Sequence, residues 1–131
     1  MSTEERVSAF MQTDWVEVTP DMPMRRAAAL LVEAKAAAAM VVDGTGALAG
    51  ILTQKDCFRP ALYASYYQEW KGTVAENMTA EAMTCAPGDD LITAAEAFLH
   101  CPHRVFPVVE DGRIVGLLRR SDVLTALVGL G

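Results

Sequence analysis

Gly50-Ile51-Leu52-Thr53-Gln54-Lys55-Asp56 closes an apolar run and opens a helical one, and residues 116–122, Gly-Leu-Leu-Arg-Arg-Ser-Asp, do the same. The two corners mark a repeat that covers the chain. Val7 and Val74, Met11 and Met78, Pro20 and Pro87, and Ala27 and Ala94 each stand 67 residues apart. Val41 and Val42 match Val108 and Val109 at the same shift. One deletion in a turn then brings Gly50 onto Gly116 and Asp56 onto Asp122, 66 apart. Agreement over this length implies a tandem of two similar units.

Each unit reads alike. A helical turn around Val7–Met11 leads to an extended segment at Val16–Thr19, and Asp21 and Pro23 predict a helix cap and first turn. Met24, Ala27, Ala28, Leu31 and Ala34 form a stripe at helical spacing, repeated as Leu91, Ala94, Ala95, Phe98 and Cys101. Strands follow at Ala39–Val42 and Ala47–Leu52 around an Asp43–Gly46 turn, and at Val105–Val109 and Arg113–Leu118 around Glu110-Asp111-Gly112. Closing helices begin near Gln54 and Arg120. The order is β-α-β-β-α twice, an α+β architecture. Residues 1–67, including a connecting helix, are expected as unit one and 68–131 as unit two. One such unit buries little apolar surface by itself, so the two are expected to pack as a pseudo-two-fold pair.

Composition bounds the function. A net charge of −6 over 131 residues argues against nucleic acid, although Lys55, Arg119 and Arg120 concentrate in the corners and leave room for a local anion site. Three cysteines at wide spacing, Cys57, Cys85 and Cys101, fit reduced thiols. The polar start MSTEERV is unlike a signal peptide, and no uncharged span is long enough to cross a bilayer. The expectation is a cytoplasmic protein that engages no membrane. His100-Cys101-Pro102-His103 gathers three metal-ligand types, but a zinc site needs a fourth, and Cys57 and Cys85 are far away in sequence. With no nucleophile elbow, P-loop or GxGxxG, the expectation is no catalytic residue, no required cofactor and no enzyme. Residues Cys57–Trp70 carry Phe58, Tyr63, Tyr66, Tyr67 and Trp70 around Pro60, expected to kink or restart a helix. That helix either packs on the core or offers an aromatic surface for dimerisation or ligand covering.

The doubled unit, the segments VSAFMQT and TVAENMT, the strand VFPVV and the corners GILTQKD and GLLRRSD together resemble a tandem cystathionine-β-synthase (CBS) domain pair, or Bateman module. The resemblance implies a stand-alone regulatory sensor that binds an adenosine-containing ligand, such as AMP, ADP, ATP or another adenosyl compound, in the cleft between units. It further implies a homodimer and a protein target. By that likeness the Thr53 hydroxyl meets phosphate and Asp56 meets ribose, with Lys55 as a counter-charge. Ile51, Val18, Thr19, Ala39 and Val41 are the expected surroundings of this first site. Asp122, Arg119, Arg120, Arg104, Phe106 and Pro107 are those of the second.

Two readings of the corner stand side by side. A helix N-terminus favours an anion through its free N–H groups and dipole, and Asp supplies two acceptor oxygens. Thr-x-x-Asp is also a capping box that needs no ligand. At the second corner Arg119 replaces the hydroxyl and is donor-only. It either clamps a phosphate or pairs with an acid and fills the site. The competing function is a ligand-independent dimerisation module.

Overall fold

The computed structural model describes residues 4–131. They form two compact units, which do not coincide with the division at 67/68. Trp15–Ala82 is one unit; residues 4–14 fold with Met83–Gly131 as the other.

In the first unit β1 (Val16–Val18) lies parallel to β2 (Ala38–Val42), which pairs antiparallel with β3 (Leu48–Thr53). The crossover from β1 to β2 is α1 (Met24–Ala34), and α2 (Gln54–Tyr67) follows β3 directly. Val18, Ala39, Val41 and Leu52 pack against Met24, Ala27 and Leu31 of α1 and Cys57 of α2, forming one core. Asp43 makes the β2–β3 turn, its carboxylate accepting from the Thr45 and Ala47 N–H groups at 2.8 and 3.2 Å. Pro23, not Asp21, is the N-cap of α1; the Asp21 carboxylate accepts the Thr19 hydroxyl instead, at 2.7 Å. Pro60 neither ends nor restarts α2, which runs unbroken with Pro60 buried. A proline there removes one N–H bond to the preceding turn, and burial of the ring offsets part of that cost.

The second unit repeats the pattern with β4 (Val105–Glu110), β5 (Arg113–Arg119), α4 (Leu91–His100) and α5 (Arg120–Leu130). Cys85 bridges Val108 in parallel where β1 would stand. Asp90 caps α4, accepting from the Ile92 N–H at 2.9 Å. Phe98 stacks on Phe106, centroids 3.8 Å apart, at the centre of the core.

The leading segments explain where the units divide. α3 (Val74–Asn77) ends against β3, with Ile51 and Thr79 exchanging both backbone hydrogen bonds at 3.0 and 2.9 Å. Likewise Gln12 and Leu117 exchange bonds at 2.7 and 2.8 Å. Each repeat's opening segment thus joins the other repeat's sheet. The crossing needs glycine: a Cβ on Gly50 would lie 2.5 Å from the Thr79 carbonyl oxygen, and one on Gly116 2.8 Å from that of Gln12. Gly50→Ala should therefore destabilise by about 1–3 kcal/mol through overpacking. Gly44→Ala, with nothing within 4 Å, should stay within about 0.5 kcal/mol; urea denaturation of both distinguishes close approach from a generic glycine effect.

Candidate functional site

Thr53 is the last residue of β3 and the N-cap of α2, so strand and helix meet with no loop between them. Its hydroxyl accepts from the Asp56 N–H at 3.2 Å, and Asp56 Oδ2 accepts from the Thr53 N–H at 2.9 Å. The capping box is therefore formed in full. It uses one oxygen of Asp56; among the described residues no hydrogen-bond partner is found for Oδ1. Lys55 is exposed and makes no ion pair among the described residues. A half-committed carboxylate and a free cation thus stand at one helix start.

Register locates the corner on the sheet. Ala38 pairs with Thr53, and Trp15 stands one residue before the Val16–Ala39 pair, at the same end. Extending that register by one residue puts Trp15, just before β1, level with the Ala38–Thr53 pair. Trp15 is half-buried, its indole N–H donating to Glu17 at 3.3 Å. The sequence reading missed this residue. The signal was available: a β-α-β crossover makes the strands parallel, so the start of β1 belongs with the start of β2. Thr19 instead follows the other end of β1, four residues from Trp15 and roughly 13 Å away at about 3.3 Å per extended residue.

The residues expected as the apolar wall are buried in the core. Val18, Ala39 and Val41 are at most 1% exposed and face α1 in the core. Alternation along a strand sends neighbouring side chains to opposite faces, and these three point inward. Ile51 is fully buried beneath the Thr79 segment. Phe106, stacked on Phe98, and Pro107 are buried as well.

The second corner keeps the backbone and changes the side chains. The Arg120 N–H donates to the Arg104 carbonyl at 2.8 Å, as the Gln54 N–H does to Ala37 at 3.0 Å. Arg119, the N-cap, provides no acceptor. Its guanidinium instead forks onto Asp122, Nε to Oδ2 at 2.7 Å and Nη2 to Oδ1 at 3.0 Å. Gln12 adds a bond to Oδ2 at 3.1 Å. The Arg119 bonds hold Asp122 below the ordinary carboxylate value, against the opposing effect of burial. Arg104 and Arg120 are exposed. Sequence left Arg119 between clamp and plug; the structure joins it to Asp122.

Other chemistry is muted. Burial, with the Asp56 charge adding to it, pushes the Cys57 thiol up to about 11, so it stays protonated at neutral pH. Burial pushes Cys85 up to about 12, with Asp89 adding to the effect. Among the described residues no three His, Cys, Asp or Glu side chains gather to hold a metal ion. Nor is any helix among them long and apolar enough to cross a membrane.

The fold and corners define a tandem α+β module in which one helix-start motif occurs twice. The chain belongs to the CBS domain family, whose model matches residues 7–62 and again 72–129. Over 124 residues it is 32% identical to an inosine-5'-monophosphate dehydrogenase of Mycobacterium leprae (strain TN), covering 93% of this chain and 22% of that protein. The chain thus spans about a fifth of that curated relative's length. Among solved structures it resembles the CBS-pair protein CBSX2 from Arabidopsis thaliana at 27% identity and a TM-score of 0.85, over 98% of this chain and 97% of that one. CBSX2 in complex with AMP matches at 27% identity and 0.82, over 95% and 97%.

Thr53→Ala should cost about 1 kcal/mol by removing the cap. Arg119→Ala should cost about 0.2–1 kcal/mol, since an exposed ion pair stabilises little. Thermal or urea melts of the two variants check the order.

Proposed function

We propose that this chain is a regulatory module that binds an adenosine-containing ligand at the Thr53–Asp56 corner and passes its presence to a protein partner. The observation that carries the reading is that, among the described residues, Asp56 Oδ1 beside a helix start and the neighbouring Lys55 have no partner. A ribose diol suits that carboxylate oxygen, and phosphate suits the Lys55 cation and the first-turn N–H groups. Trp15, level with Thr53 across β2, offers a flat apolar surface for a base. The likeness to CBSX2, which has been solved in complex with AMP, supports the ligand class. No residue in this scheme acts on a bond, so the role is sensing rather than catalysis. A ligand shifts the module only so far as it binds one arrangement better than another.

AMP, ADP, ATP and S-adenosylmethionine should be compared by thermal shift. A ligand at a hundred times its dissociation constant should add about 2.7 kcal/mol of stability. Asp56→Ala should abolish that gain while the protein still melts cooperatively. No shift with any of the four would sink the reading.

A homodimer is the second part of the proposal, and a repeated apolar surface supports it. Val32, Phe58 and Leu62 on α1 and α2 are more than half exposed, as are Leu99, Leu124 and Val128 on α4 and α5. Each of the first three has its repeat counterpart among the second three, 67 or 66 residues on. Beside the first set lies a cavity of about 450 Å³ lined by Arg25, Val32, Phe58 and Trp70 among others. Scattered exposed apolar residues need no explanation, but the same set preserved in both repeats suits self-complementary burial against a second copy. The same surface favours the competing reading, association without a ligand. Light scattering should give a dimer that Phe58→Asp combined with Leu124→Asp converts to a folded monomer. If nucleotide changes neither mass nor melting, association alone is the function.

A further inference from the structure

We propose that Arg119 is a built-in occupant of the second corner, so that the chain carries one receptive corner and one closed by its own side chain. The inference deepens the reading above and rests on it. Both corners share a backbone: a strand's last residue starts a helix, and an aspartate follows one turn on. They differ in what the aspartate already holds. Asp56 accepts one hydrogen bond among the described residues, from the Thr53 N–H. Asp122 accepts three, two from the Arg119 fork at 2.7 and 3.0 Å and one from Gln12 at 3.1 Å. Both of its oxygens are engaged. A ribose hydroxyl arriving there would have to displace a bidentate guanidinium–carboxylate fork, in which donor and acceptor are both ionised.

Two further differences act in the same direction. The hydroxyl that would meet phosphate is missing, because Arg119 stands where Thr53 does. The aromatic surface is missing too, since Ala82 occupies the repeat position of Trp15. The Arg119 charge is not free to recruit an anion, because Asp122 neutralises it in place. The pair stands where a ligand would otherwise bring complementary groups.

Isothermal titration calorimetry with AMP, and separately with ATP and S-adenosylmethionine, tests the assignment by stoichiometry. The wild-type chain should take one equivalent. Arg119→Thr restores the hydroxyl and frees Asp122, so it should take two, the second corner gaining at least tenfold in affinity. Arg119→Gln, which removes the fork while leaving a long polar side chain, should show the same gain if the threonine variant folds poorly. The double variant Asp56→Ala, Arg119→Thr should retain one equivalent where Asp56→Ala alone takes none. Two equivalents in the wild type would overturn the inference, as would either Arg119 variant binding no more than the wild type. Wild type binding nothing while Arg119→Thr binds one equivalent would instead uphold the plug and remove the Thr53–Asp56 reading.

Discussion

The structure depends on strands that become helices without a loop. Thr53 completes the β3 ladder against Ala38 and caps α2 in the same residue, and Arg119 ends β5 against Val105 and stands at the start of α5 without supplying a cap bond. This junction aims the first-turn N–H groups at the end of the sheet and places an aspartate one turn away. A loop of even a few residues would uncouple helix start from strand end. The geometry of the corner is thus a consequence of chain continuity, and the side chains decide its use.

Stability does little to separate the two corners. A hydroxyl N-cap contributes about 1 kcal/mol, and an exposed ion pair about 0.2–1 kcal/mol. Exchanging one for the other changes folding by a fraction of the 5–15 kcal/mol typical of a domain. The chemical difference is much larger. Among the described residues one corner leaves a carboxylate oxygen without a partner, and the other engages both oxygens in three bonds. The two corners therefore differ far more in the acceptor atoms they present than in folding stability.

Much of the fold was legible because its signals are local. Apolar spacing marked α1 and α4, Asp and Gly marked the hairpin turns, and the 67-residue shift aligned the rest. The candidate site was legible in part. Thr53 and Asp56 do meet, as a three-residue spacing at a helix start ensures. Val18, Ala39, Val41 and Phe106 lie in the cores, and apolar character says that a side chain is covered without saying by what. Here helices cover them. Trp15 was overlooked because its place level with Thr53, across β2, follows only from two strand pairings.

By itself the sequence determined the repeat, the order of elements and the two helix starts with their aspartates, all set by neighbours within a few residues. Tertiary structure alone decided three things. Opening segments join the opposite repeat's sheet, through Gly50 and Gly116. The face that bears Thr53 bears Trp15 as well. Finally, Asp122 is claimed by Arg119 and by Gln12, the latter 110 residues away in the chain. Each of these relates groups that local spacing does not, and only chain folding brings them to the same sheet or the same hydrogen bond.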